Sequence, residues 1–316
     1  MLHHKSRSTA TLAVALSLAA PLPAHAGDLV ANVRAQIGSQ SLKAGELRWS
    51  EGPLRGVLTA TRVDGGDVRL RLNELTYDRP FAGGFLSAGK KIMSWDVGYA
   101  FRPLDVVQRE DRRALNPLAL EGIPLLAWER FDADSATTIV WANPSQGRAL
   151  HQRDDEAIAI RHYRQRGARD EYTVLRMSQR NGLEAGASFS QVAGDGLELH
   201  ASLLWQQRPT HSGKALAGFT WTTESKLSII GEMWTDRTAA PGQQRNRMLR
   251  AAQYLDNDVE VSADVLWQPQ TDSRIGTLSA SWKTGPWVLS ASYRHYGGLA
   301  GRYMKDTALA SIQRGF

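Results

Sequence analysis

Apolar residues recur at every second position over long stretches of this chain, and nothing else in the sequence constrains its fold as strongly. Leu197-Glu198-Leu199-His200-Ala201-Ser202-Leu203 and Val259-Glu260-Val261-Ser262-Ala263-Asp264-Val265 both follow this rule. Successive side chains of a strand point to opposite faces, so each such segment has one greasy face and one wet face. The absence of cysteine excludes disulfides and thiolate chemistry. After the N-terminal leader there is no run of about 18 apolar residues, which excludes ordinary transmembrane helices. A negative mean hydropathy does not exclude a membrane, because a barrel shows lipid only its alternate residues.

The leader reads as a signal peptide. Lys5 and Arg7 are its basic segment, Thr11 to Leu22 its short apolar segment, and Ala24-His25-Ala26 a small-residue cleavage site. Residues 1–26 are expected to be removed, leaving 290 of 316 residues as a single domain, 27–316. The leader carries two of the excess basic residues, so the net charge falls from +6 to +4. Lysine and arginine are interspersed with acidic residues, and no basic run with interleaved aromatics points to nucleic acid.

Strands are expected over 29–37, 54–63, 68–77, 84–92, 126–133, 136–143, 156–165, 170–179, 184–193, 197–206, 215–223, 226–235, 258–268, 273–283, 285–295 and 306–316. Weaker patterns cover 42–49 and 247–255. Within 68–77 the apolar parity passes from Val68, Leu70 and Leu72 to Leu75 and Tyr77, which predicts a bulge. Leu197–Gln206 parallels Val259–Gln268 at an offset of 62 residues. Four strand steps separate them, giving about 15.5 residues per strand and connector, and an even number of steps places Trp205 and Trp267 at one rim as an interfacial girdle. The fold class is therefore all-β: a transmembrane antiparallel barrel of about 16 strands, within a range of about 14 to 18. Ala308, Ala310, Ile312 and Phe316 share one parity, and Phe316 has the character of a terminal assembly signal.

Between Pro103 and Pro124 the alternation stops, and a long loop is expected near 103–124. If it enters the lumen, Arg102, Asp105, Arg109, Asp111 and Arg112 are candidates to line a constriction. The wet parity of the strands adds Arg34, Arg69, Arg71, Glu198, His200, Glu260, Asp264 and Arg294. Facing lipid at mid-membrane, such a charge would cost about 2–4 kcal/mol, which assigns them to the lumen. Both signs are present, so strong selectivity for one ion sign is not expected.

Asn73-Glu74-Leu75-Thr76-Tyr77, Gly89-Lys90-Lys91-Ile92-Met93-Ser94-Trp95, Gly98-Tyr99-Ala100-Phe101-Arg102-Pro103-Leu104-Asp105 and Glu110-Asp111-Arg112 follow one another within 72–112. Gly231-Glu232-Met233-Trp234 extends the pattern. Together these segments resemble a largely uncharacterised family of Gram-negative outer-membrane barrels, with Lys91 where the family usually has Gln and Asp96 where Gly is common. The resemblance implies a barrel and names no substrate. Gly89 and Gly98 read as sites of close backbone approach or bending, and Pro103 as a fixed turn.

These readings lead to a porin-like outer-membrane channel or export-associated barrel, without cofactor or bound metal. Outer-membrane lipid, the barrel assembly machinery and export components are its expected partners. The alternatives are a barrel hydrolase and a closed structural or assembly barrel. For a hydrolase, His211 with Ser212 and Asp154 with Asp155 near His151 and His162 are the residues to inspect. No phosphate-binding glycine loop and no zinc-type histidine spacing is present.

Overall fold

A computed structural model describes residues 28–39, 41–108, 110, 115, 120–142, 155–208, 210–255 and 258–315. The leader with its cleavage site near Ala26, Arg109, Asp111, Arg112, His151, Asp154 and Phe316 lie outside these residues. Eighteen strands are present among the described residues. The first six are β1 (Asp28–Gly38), β2 (Leu42–Glu51), β3 (Leu54–Val63), β4 (Arg69–Phe81), β5 (Gly84–Lys91) and β6 (Ile123–Phe131). Then come β7 (Ser135–Ala142), β8 (Ala157–Arg166), β9 (Arg169–Ser178), β10 (Gly182–Gly194), β11 (Leu197–Gln206) and β12 (Ser212–Thr222). The last are β13 (Leu227–Asp236), β14 (Arg245–Tyr254), β15 (Val259–Gln268), β16 (Ser273–Thr284), β17 (Trp287–Gly297) and β18 (Thr307–Gly315). A short helix, α1 (Leu299–Tyr303), lies between β17 and β18.

Every strand pairs antiparallel with its sequence neighbours, and β1 pairs with β18 from Asn32↔Gly315 to Gly38↔Leu309. The sheet therefore meets itself. Closure leaves no edge strand with unpaired amides, which is the condition for a sheet to cross a bilayer.

The strand number corrects the expected value of about 16 to 18. The two segments with weak alternation are full strands, β2 and β14. Their pattern is disturbed because an apolar side chain points inward on each. Leu42 is buried inside while Leu47 takes the outward parity, and Met248 is buried inside while its neighbour Leu249 is exposed outside. The parity change in β4 is a bulge at Asn73: Leu58 faces Leu72 and Val57 faces Glu74, so Asn73 is the extra residue.

The two rims differ. Connectors after even-numbered strands, such as 52–53, 82–83, 167–168 and 285–286, are short turns. Those after odd-numbered strands include 92–122, 143–156, 237–244 and 298–306. Eight of the ten tryptophans have the outward parity and lie toward the two ends of the wall. Trp141, Trp205 and Trp267 are at the long-loop rim, while Trp49, Trp128, Trp221, Trp282 and Trp287 are toward the short-turn rim. Between them the outer wall is apolar, with Leu72, Ile139, Ile160, Leu175, Leu203 and Leu278 exposed. Indole rings favour the boundary between hydrocarbon and water, so this band has the form of a lipid-facing belt.

The inner face is not uniformly polar. Ile123, Leu125 and Ala127 of β6, Val140 and Ala142 of β7, Ala159 of β8, Val174 of β9 and Leu204 of β11 point inward and are buried. Their apolar outer neighbours give these strands two greasy faces, as when both sides of a sheet are covered.

The two faces can be told apart by substitution. Leu278 is exposed on the outer wall midway along β16, and Ser279 is the next residue inward. Leu278→Arg should lower stability by about 2–4 kcal/mol when the barrel is refolded into lipid vesicles and unfolded with urea. Ser279→Arg should shift the midpoint far less, and equal effects would contradict the assigned parity.

Candidate functional site: a chain segment docked inside the barrel

The inward apolar residues of β6–β11 are covered by the connector between β5 and β6. Met93, Trp95, Leu104 and Val107 from that connector join them in one buried cluster, with Leu104 fully buried. Side chains and backbone fasten the connector at three levels.

The first level is its root. The bulge aims Asn73 into the barrel, where it is almost fully buried. Its Nδ2 donates to the Leu120 carbonyl at 3.0 Å, its Oδ1 accepts from Thr59 Oγ1 at 2.7 Å, and its carbonyl accepts from Gly122 N at 2.9 Å. Glu121 is held by Lys90 at 2.5 Å and by Arg71 at 3.3 Å. At the outgoing end Glu74 accepts from Ile92 N at 3.5 Å. Gly89 has φ +130, and a Cβ there would lie 2.1 Å from the Leu75 carbonyl oxygen, so the root requires glycine.

Two buried carboxylates organise the second level. Asp105 accepts from Trp95 N at 2.6 Å, Asp96 N at 3.0 Å and Ser94 Oγ at 3.2 Å, and pairs with Arg102 at 2.9 Å. Asp96 accepts from Leu104 N at 2.6 Å and Val97 N at 2.7 Å. Arg102 also meets Glu110 at 2.6 Å. Burial pushes both the Asp96 and Asp105 carboxyls up, while these donors and Arg102 pull them back. The charged groups thus fold the segment upon itself, and Arg102 and Asp105 face each other rather than water.

The third level docks the tip onto the far wall. Glu232 of β13, with a fully buried side chain, accepts from Tyr99 N at 2.6 Å and Ala100 N at 2.8 Å. The same carboxylate meets His200 Nε2 of β11 at 3.1 Å. Ser202 Oγ donates to Asp96 at 2.5 Å. Phe101 stacks on Trp234 with ring centroids 5.5 Å apart, and the Arg250 guanidinium lies 5.5 Å from the Tyr99 ring centroid. Gly98 fits against Leu216 and the Phe101 carbonyl, where a Cβ would come within 2.5 Å of both. Trp95 and Trp234, the two tryptophans missing from the outer belt, both serve this docking.

The residues expected to line the lumen separate into two groups. Arg102, Asp105, Arg71 and His200 fasten the segment. Arg34, Glu260, Asp264 and Arg294 are half-buried on β1, β15 and β17, with Asp264 paired across the ladder with Arg250, which meets the docked tip. Arg294 Nε donates to Thr277 Oγ1 at 3.1 Å, and Glu260 faces Arg250 at 3.5 Å. Glu198 accepts from Ser190 Oγ at 2.7 Å, and Arg69 is exposed at the start of β4. Arg109, Asp111 and Arg112 fall outside the described residues. Glu232 and Arg250 are central to the docking yet looked like ordinary wet-parity charges, and the Gly231–Trp234 motif was the one signal that marked Glu232.

Of the residues considered for hydrolysis, His151 and Asp154 lie outside the described residues, and the described His211, His162 and Asp155 each have separate partners. His211 rests against the Trp205 ring at 5.6 Å, His162 has the outward parity with Nδ1 3.1 Å from Thr137 Oγ1, and Asp155 is held by Arg176 at 2.6 Å. Among the described residues no cluster of three or more His, Asp or Glu side chains is placed to hold a metal.

Neither a protein-family model nor a curated protein sequence matches the chain. Solved structures do. Pseudomonas aeruginosa OccK5 (OpdH) matches with a TM-score of 0.62 at 9% identity, covering 92% of this chain and 96% of that one. Wzi of Escherichia coli, described as a carbohydrate-binding β-barrel involved in capsule assembly, matches at 0.63 and 10%, covering 92% and 84%. A variant of the Rh. blastica porin matches at 0.54 and 12%, covering 92% and 100%. The fold is that of the porins. At these identities the likeness is one of architecture.

The docking has a direct test. A hydrogen bond to a charged group contributes about 1.5–3 kcal/mol, so Glu232→Ala should lower hydrogen-exchange protection at the Tyr99 and Ala100 amides by about tenfold or more. Glu232→Gln should fall between. Unchanged protection in Glu232→Ala would show that the tip is held elsewhere.

Proposed function

We propose that this chain is a porin-like channel of the Gram-negative outer membrane, passing a small hydrophilic solute beside the docked segment. The supporting observation is the asymmetry of the inner wall. Beneath the segment, inward side chains such as Ile123, Val140, Leu204 and Glu232 are buried. On β15–β18 and β1 the inward side chains Ser262, Asp264, Ser279, Ser292, Arg294 and Arg34 are half-buried, so solvent reaches that side of the lumen. A polar, water-reached wall left uncovered beside a fixed inward segment is the arrangement of a narrowed aqueous passage.

In this reading the tryptophan belts mark the two membrane surfaces. The short turns face the periplasm and the longer connectors face outward, the asymmetry usual in bacterial barrels. Positive and negative side chains share the open wall, which favours selection by size and hydrogen bonding over selection by ion sign. Outer-membrane lipid is the immediate partner. The assembly machinery would act through the last strand and Phe316, and the leader would deliver the chain to the periplasm.

Conductance across a planar bilayer tests the reading. The purified, folded barrel should give discrete single-channel steps, and Glu232→Ala should enlarge them or add open-state noise by freeing the tip. A barrel that keeps its folded gel mobility yet conducts in neither form would overturn the channel assignment.

A further inference from the structure

A hollow lies at the long-loop rim, one strand along from the tip's docking wall, where Asn246 in its lining pairs with Trp234. Leu266 and Ile275 are cross-strand partners on β15 and β16, on the same parity as Asp264 and Gln268, so they point into the lumen. Two apolar residues side by side on a wall reached by water break the alternation that governs this part of the chain. Helix α1 leans over them from the β17–β18 connector, yet none of its residues is buried. Tyr303 is 82% exposed and the following Met304 50%. Between helix and wall remains a cavity of about 300 Å³.

Its lining carries no charged side chain. The floor is apolar, and Leu299, Tyr303 and Met304 border it from above. One edge is made of neutral amides. Gln268 Nε2 donates to Asn246 Oδ1 at 3.2 Å, Asn246 Nδ2 donates to the Gln243 carbonyl at 3.2 Å, and Thr271 Oγ1 donates to Gln268 Oε1 at 2.7 Å. These bonds orient both amides, and each amide nitrogen carries two N–H bonds, of which they use one.

We propose that this hollow binds an uncharged small molecule with one apolar face and a hydrogen-bonding edge, at the outer mouth of the barrel. A charged solute would give up hydration there with no counter-charge in the lining, whereas an apolar face gains by covering Leu266 and Ile275. The volume lies at the lower end of small-molecule sites, which fits a single ring with its substituents. Tyr303 supplies an aromatic wall and Met304 an adaptable one. The inference rests on the channel reading for placing this rim on the outside, while the site itself depends only on the cavity.

Calorimetry on the full barrel in detergent tests it independently of conduction. Phenyl β-glucoside joins a ring to hydroxyls, glucose has the hydroxyls alone, and benzoate has the ring with a charge. The glucoside should bind saturably, with the other two weaker by about tenfold or more, and Ile275→Ala should weaken the glucoside by about tenfold. Tyr303→Ala, at an exposed position, should also weaken it and keeps the test readable if Ile275→Ala disturbs folding. No saturable binding of the glucoside, equal binding of benzoate, or affinity unchanged in both variants would overturn the site. Binding without any conductance would instead remove the channel reading and leave the site standing.

Discussion

Closure of the sheet is the constraint on which everything else depends. Backbone N–H and C=O groups have no water to turn to in hydrocarbon, so a sheet survives there only when its first strand pairs with its last. The β1–β18 ladder meets that requirement. Once the ring is closed, parity has a physical meaning all the way round: one set of alternate side chains faces out, and the other faces a lumen that must be wetted or filled. The tryptophan belts and the leucine-rich band between them follow from the first condition. The divided inner wall follows from the second.

The lumen uses both solutions. On one side the β5–β6 connector fills it, supplying Trp95 and Leu104 to cover inward apolar residues of β6–β11. On the other, serines, arginines and acids stay within reach of water. The connector brings its own buried charges, and these are tolerable because they are saturated with donors. Asp105 collects two backbone N–H groups, a hydroxyl and a guanidinium, while Glu232 collects two backbone N–H groups and an imidazole nitrogen. An unpaired buried carboxylate would not persist, so these partners hold the segment in one arrangement.

The short motifs within 72–112 gain a mechanical explanation. Asn73 and Glu74 hold the two ends of the segment, and Lys90 with Glu121 clamps its root. Gly98 permits the close approach at the tip, and Arg102 with Asp105 closes the internal fold. The motif is thus a set of fastenings distributed along one excursion from the wall. Its residues therefore recur at irregular spacing, although the surrounding strands obey a strict period of two.

Alternation, the turn residues and the lack of apolar helices were enough to read an all-β barrel, its apolar outward face and the common rim of Trp205 and Trp267. These properties are local, because each depends on side chains a few residues apart on one strand. The bulge at Asn73 was legible for the same reason, as a change of parity within β4. The strand number was harder, since Leu42 and Met248 point inward and blur the two strands that carry them. Only the tertiary structure decided which wet-parity charges fasten and which face water. Glu232 and Tyr99 lie 133 residues apart, and their meeting depends on the path of a segment with no periodicity of its own. His200, Arg71, Arg294 and Asp264 share one pattern in the sequence, and they differ only in whether the folded connector lies across them.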